Sequence, residues 1–289
     1  MDRGFSSVHP FVCFTYYFLI IVFAMLLFHP VYLLLSLAAA IIYNILFDKG
    51  KTLLKSWRLY VIMGMAVLIA NPLFSHRGSR VLFYFVDNPI TLEAVTYGVI
   101  MALSLLTVLV TFVSFQHVVD HHKFMYLFSS FLPRTAFLIM MSIRFIPLLI
   151  IRLKQITIVR KTMGMDATRG TVKKRVSDGM QILHILITWS LEEALQTADS
   201  MKARGYGISK RSSYFEYRMG KRDWILLTIE LLLAAVIITG WYLGYGTLKI
   251  YPALGVMSAN LTYLMFYTAF GILLVIPIFE EGREILAWR

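Results

Sequence analysis

The sequence of 289 residues is poor in charge. Only 15% of it is Asp, Glu, Lys or Arg, against 58% hydrophobic, and its mean hydropathy is +0.71. A soluble domain carries about a quarter charged and about half apolar residues, so this chain lacks the charge to wet the surface of a water-soluble enzyme. Disorder is excluded as well, because low hydrophobicity is its hallmark. Cysteine is nearly missing. Cys13 is the single one, so no internal disulfide can form and cysteine usage does not reveal the compartment. Acidic residues are scarce, 16 against 28 basic. Asp166, Asp178 and Asp199 are scattered, which leaves no clustered acids or nucleophile–base set of the kind a membrane enzyme needs. No small-residue cleavage site interrupts the first apolar stretch, so a cleavable signal peptide is not expected.

What is present is a set of long uncharged runs: Gly4–Phe47, Leu59–His76, Ala94–Val119, Leu231–Leu248 and Ile250–Phe279. A helix needs roughly 20 apolar residues to cross the hydrocarbon. The first run holds two short spans, because His29-Pro30 breaks it in the middle. Spans are therefore predicted at 11–28, 31–47, 59–74, 91–116, 224–244 and 253–279. Lipid offers backbone groups no partner, so these segments must be helices. The predicted fold class is all-α: a polytopic membrane protein of about six transmembrane helices with a helical cytoplasmic insert. Residues 1–116 form an N-terminal membrane region of four spans, 117–223 the insert, and 224–289 a C-terminal membrane region of two spans.

The charge is unevenly placed. Residues 117–223 hold 18 of the 28 Lys/Arg and a net +10 of the total +12. A second basic group, Lys49, Lys51, Lys55 and Arg58, lies in the expected loop between spans two and three. Excess Lys/Arg stays cytoplasmic. Six spans with both termini inside place all but Arg77, Arg80 and Lys249 on that side.

Within the insert, two long helices are expected at about 134–163 and 176–204, joined by a turn containing Gly164 and Gly170. They are too apolar to stand free in water and too charged for lipid, which suits the membrane surface or packing on each other and a partner. Ser177 or Asp178 is a candidate cap for the second helix. Lys202 and Arg204 complement its negative end, and Gly205 suits the left-handed turn beyond it.

That helix ends in Ala203-Arg204-Gly205-Tyr206, after Ala198-Asp199-Ser200-Met201-Lys202. The segment resembles the second Ala-Arg-Gly motif of the transmembrane T component of energy-coupling factor transporters, ABC-type importers of vitamins and trace metals. Family members carry two such motifs at the ends of two coupling helices. Counting back the family's 41-residue spacing from Gly205 reaches Gly164 in Thr162-Met163-Gly164, followed by Met165-Asp166. Met163 stands where the family has Arg; Arg160, Lys161 or Arg169 are the nearby candidates for the missing cation. Met140-Met141-Ser142 and Arg144-Phe145-Ile146-Pro147 resemble the family's stretch before the first motif, and Tyr97-Gly98 with Met101-Ala102-Leu103 is similar too. The resemblance covers about 91–207 and is loose over the N-terminal spans. The final span is additional to the five-span arrangement of many relatives.

The resemblance implies a non-catalytic coupling subunit of a bacterial cell membrane. Its partners would be two cytoplasmic ABC ATPase subunits, a membrane-embedded substrate-binding subunit and the lipid bilayer, with no nucleic acid, metal or cofactor. Ala203, Arg204, Gly205, Thr162, Met163 and Gly164 would engage the ATPases. A lipid-group transferase and a secondary carrier are the alternatives. The first lacks its acids, and the second lacks visible repeats with midplane polar groups.

Weaker features have plainer readings. Gly50-Lys51-Thr52 imitates the end of a phosphate-binding loop, but Ile45 stands where the earlier Gly belongs. His117, His121 and His122 lie at one span end, as His9, His29 and His76 flank others, which suits interfacial histidines better than a metal site. Gly240 and Gly244 form a small-residue pair favouring close helix packing. Glu230 is an ionisable group in a costly place, with Lys221 and Arg222 as candidate partners.

Overall fold

The computed structural model describes residues 4–75, 78–85, 88–164, 171–208, 217–248, 250 and 261–287. Among them the chain is helical nearly throughout. A 3-10 turn at Gly4–Ser7 leads to α1 (Pro10–Leu26), α2 (Pro30–Asp48), α3 (Lys51–Phe74), α4 (Leu92–Val118), α5 (His121–Phe131), α6 (Pro133–Thr162), α7 (Val172–Ala203), α8 (Lys221–Tyr242) and α9 (Leu261–Ala287). A short antiparallel hairpin, β1 (Val81–Phe85) and β2 (Asn88–Thr91), precedes α4. Its signals, an aromatic run followed by Asn88-Pro89, are too brief to stand out between two long helices.

Among the described residues, six helices are long and apolar enough to cross a bilayer: α2, α3, α4, α6, α8 and α9 over Leu261–Glu284. The chain is an all-α, multi-pass membrane protein. The number equals the expected one, but the membership differs. α1 has 17 residues, at the lower limit of about 17 for a span. α6 enters instead, although it was expected to be too charged. Four of its six charges, Arg152, Lys154, Arg160 and Lys161, lie toward its C-terminal end, and only Arg134 and Arg144 interrupt the apolar stretch before them.

Boundaries shift for local reasons. The expected loop at 48–58 is a two-residue turn: Lys49 and Gly50 are both left-handed, with φ 51° and 70°, and both N–H groups donate to the Asn44 carbonyl. α3 then begins at Lys51, so Lys55 and Arg58 ride on the helix. The start of α7 is also earlier than expected. Thr171 precedes its first turn, and Asp178 lies buried inside the helix instead of capping it.

The chain divides into two units, Met1–Phe124 with Tyr217–Arg289, and Met125–Glu216. In the first, α1 is the central element. Val12, Tyr16, Tyr17, Ile20, Phe23 and Leu27 are buried against Tyr32 and Tyr43 of α2, Leu227 and Ile237 of α8, and Phe270 and Leu273 of α9. In lipid, helices associate through close packing and interhelical hydrogen bonds rather than escape from water. Both are visible. Asn44 Nδ2 donates to the Val110 carbonyl at 3.3 Å and to Ser114 Oγ at 2.8 Å, and Ser104 Oγ donates to the Ala24 carbonyl at 2.6 Å. The two contacts tie α4 to α2 and to α1.

Polar groups gather where the 3-10 turn meets α1, α8 and α9. Lys123 Nζ, almost fully buried, donates to the Ser6 carbonyl at 2.5 Å and the Val118 carbonyl at 3.1 Å. The Phe5 N–H donates to Glu281, the His9 N–H to Asp223, and Arg222 pairs with Glu280. His9 Nδ1 also accepts from the Phe11 N–H at 3.2 Å, which requires an unprotonated nitrogen. Burial keeps the imidazole below its usual range, against the upward pull of Asp223. The expected pairing of Glu230 is not found. Arg222 is engaged with Glu280, and Glu230 is fully buried with neither carboxylate oxygen hydrogen-bonded among the described residues.

Gly240 is a packing glycine, but Gly244 is not its partner. Gly244 lies past the end of α8 at φ 88° with open space around it. At Gly240 an added Cβ would meet the Phe266 ring of α9 at 2.6 Å. Gly240→Leu is expected to lower the thermal midpoint in detergent, at a cost of about 1–3 kcal/mol for such overpacking. Phe266→Ala in the same chain should restore it. A Gly240→Leu protein as stable as the parent would show that α8 and α9 do not meet there.

Candidate functional site

The second unit is built on α6 and α7. Phe137, near the start of α6, stacks on Tyr206, just past the end of α7, with ring centroids 5.2 Å apart. Further along, the Arg152 guanidinium lies 4.7 Å from the Trp189 ring centroid. The start of one helix meets the end of the other, so the pair is antiparallel. α6 has 30 residues and α7 has 32. With a rise of 1.5 Å per residue, their C-terminal turns lie roughly 40 Å apart along the pair.

Both turns pivot on a left-handed glycine whose N–H donates to the carbonyl three residues back. Gly205 is left-handed at φ 80°; its N–H donates to the Lys202 carbonyl at 2.9 Å, and the Tyr206 N–H donates to the Met201 carbonyl at 3.0 Å. These two bonds define a Schellman motif, which satisfies carbonyls that the helix end would leave orphaned. Gly164 has φ 79°, and its N–H donates to the Lys161 carbonyl at 3.1 Å. An L side chain is strained at such φ. The glycine of each triplet is therefore a geometric requirement, and the residue before it is the C-terminal cap of its helix.

Arg204 and Met163 hold that cap position. Both are exposed, as are Ala203 and Thr162. Thr162 Oγ1 donates back to the Val159 carbonyl, which closes its turn. Arg160 lies three residues before Met163 on the same helix face. Met165, Asp166, Arg169 and Gly170 lie outside the described residues, as does His76.

Arg204 borders a groove of about 440 Å³ lined by Phe137, Met141 and Arg144 of α6 and by Glu193, Gln196, Thr197, Ser200 and Met201 of α7. Two guanidinium groups from different helices thus border one cleft. Their planar donor forks suit carboxylate or carbonyl groups of an incoming chain. Arg144 belongs to the Arg-Phe-Ile-Pro segment, but its place beside Arg204 depends on antiparallel pairing. No local pattern in the sequence reveals that.

A second surface is also new. Val172, Val176, Met180, Leu183, Ile187, Leu191 and Leu195 are all exposed. They recur every three or four residues and form one apolar stripe along α7.

The minor features resolve simply. Thr52 Oγ1 donates to Asp48 and lies 3.3 Å from His117 Nε2, so Lys51-Thr52 opens a helix and not a phosphate loop. Among the described residues no group of three or more His, Cys, Asp or Glu is placed to hold a metal.

No family model matches the chain. It is similar to proteins described as "Energy-coupling factor transporter transmembrane protein EcfT". The one from Bacillus selenitireducens is 34% identical over 116 residues, covering 39% of this chain and 43% of that protein. The one from Staphylococcus aureus is 30% identical over 104 residues, or 36% and 39% of the two chains. The one from Lactococcus lactis subsp. cremoris is 31% identical over 101 residues, or 35% and 38%. The chain thus spans about two fifths of the length of the curated relatives it matches.

Proposed function

We propose that this chain is the transmembrane coupling subunit of an importer of the energy-coupling factor type. It carries ATP-driven motion from two cytoplasmic ABC ATPases to a membrane-embedded subunit that binds a vitamin or trace metal. ATP chemistry resides in the ATPases, and this chain is the non-catalytic link. Residues 117–223 are its coupling region. They lie on the cytoplasmic side with both termini, α6 included. Its apolar window is long enough to cross, but Arg134, Arg144, Arg152, Lys154, Arg160 and Lys161 run along its length. The shorter α1 crosses instead, and the cytoplasmic side then holds 25 of the 28 Lys/Arg.

The observation that carries this reading is the pair of left-handed glycine turns at opposite ends of an antiparallel helix pair, one of them preceded by an exposed arginine. Two ATPases must be held together and moved together. A pair of long helices is a stiff crossbar, and each end gives one ATPase a place to dock. Sharp turns let a partner approach the backbone closely, and Arg204 supplies charge-assisted hydrogen bonds at the α7 end. The α6 end presents Met163 instead, so its joint rests on packing and on cations nearby. The apolar stripe of α7 suits the substrate-binding subunit, which is itself a membrane protein, better than an ATPase in water.

Co-purification of the tagged chain with co-expressed ABC ATPases from the same organism, together with uptake in cells, tests the assignment. Absence of any ATPase from the purified chain would overturn it. Met163→Arg tests the weaker end. A charge-assisted bond contributes about 1.5–3 kcal/mol, so Met163→Arg is expected to hold the second ATPase at least tenfold more tightly in a salt-titrated pull-down. Unchanged salt resistance would show that the cation at this position is not limiting.

A further inference from the structure

We propose that one ordered water molecule is bound inside the membrane region, in a cavity between α1, α2, α4 and α9, held by the hydroxyls of Tyr17, Tyr43 and Thr111. The three residues are almost fully buried, and none of their hydroxyl oxygens makes a hydrogen bond of good geometry to a described residue, the Tyr17 and Tyr43 hydroxyls only approaching one another. Buried polar groups are satisfied in the great majority of cases, by protein or by ordered water. Three unsatisfied hydroxyls on three different helices would be hard to explain if they were unrelated. They are related, because all three residues line the same cavity.

The local alternatives have been passed over. Ser36 Oγ returns to the Tyr32 carbonyl, Thr107 Oγ1 to the Leu103 carbonyl and Ser114 Oγ to the Val110 carbonyl, each four residues back along its helix. Thr111 lies on α4 between Thr107 and Ser114 and makes no such bond. Its hydroxyl is left for the cavity. Pro277 of α9, also on the wall, has no N–H and so removes the helical donor of the Leu273 carbonyl.

Size and chemistry select the ligand. The space open to the centre of a water molecule is about 20 Å³, and one water needs roughly 10–15 Å³ on that measure together with two to four polar partners. Each hydroxyl both donates and accepts, so a water with two donors and two acceptors can join all three. No charged side chain is on the wall, which disfavours an ion.

Hydroxyl-radical footprinting with an X-ray pulse tests this on the full chain in nanodiscs, because radicals born from a bound water label the side chains that touch it. Tyr32 is as deeply buried as Tyr43 but is not on the cavity wall, and it serves as the internal control. Oxidation of Tyr17 and Tyr43 is expected to exceed that of Tyr32 at least tenfold. Thr111→Val keeps the shape and removes one ligand. It is expected to cut that labelling several-fold and to lower the thermal midpoint. Labelling equal to that of Tyr32 would overturn the proposal. So would a raised thermal midpoint in Thr111→Val, since removing a hydroxyl from a dry cavity relieves an unpaired group.

Discussion

Arg204→Glu is expected to abolish uptake and to release the ATPase that, on the proposed function, docks at the α7 end. The side chain is exposed in this chain, and the turn around it is held by the backbone bonds of Gly205 and Tyr206. The substitution therefore leaves the helix end intact and changes what it offers a partner. A guanidinium docked in a partner groove loses its water and gains charge-assisted hydrogen bonds. Removing one member of such a pair costs about 2–5 kcal/mol, a weakening of roughly thirty- to several-thousand-fold. Glu adds repulsion where the partner presents acidic or carbonyl groups. Arg204→Lys separates charge from geometry, because Lys keeps the charge and loses the planar fork; an intermediate loss is expected. The measurements are substrate uptake in cells and ATPase retained on the purified chain. Wild-type values for Arg204→Glu would remove Arg204 from the coupling role.

The paired change Ile187→Glu and Leu191→Glu has the second largest expected effect: loss of the substrate-binding subunit from the purified assembly, with the ATPases retained. Ile187 is 57% and Leu191 is 63% exposed, so neither holds α7 in place, and Glu is a good helix former. Covered by a partner, each apolar side chain contributes about 1.5–3 kcal/mol. A carboxylate buried there without a partner costs several kcal/mol more. Circular dichroism should be unchanged, while the subunit is lost on size-exclusion chromatography. Undiminished co-purification would place its docking surface elsewhere.

The legible parts of this molecule were those written in long periods. Uncharged runs located most of the spans, and helix-end chemistry located the 203–205 turn to the residue. Gly205 is left-handed, as its place after Lys202 and Arg204 implied. Properties that depend on which elements meet were not legible. Arg144 and Arg204 are 60 residues apart in sequence, and only antiparallel packing brings them to one groove. Glu230 has basic neighbours just over two turns away in sequence, but Arg222 faces Glu280 of a helix that follows much later. The paired glycines of α8 illustrate a third cause. Spacing matched a packing motif, but the helix ended between them, so only Gly240 could serve it.

The antiparallel arrangement of α6 and α7 has a further consequence. Two helices running in opposite directions are related by an approximate twofold axis through their crossing, so the unit shows the same kind of helix end in two directions. A rotationally symmetric dimer of identical partners would find equivalent backbone at both ends. The side chains break that equivalence, with Arg204 at one end and Met163 at the other. The helix pair is thus a nearly symmetric scaffold with unequal sides. In the proposed complex, a partner dimer would therefore meet two chemically different docking ends.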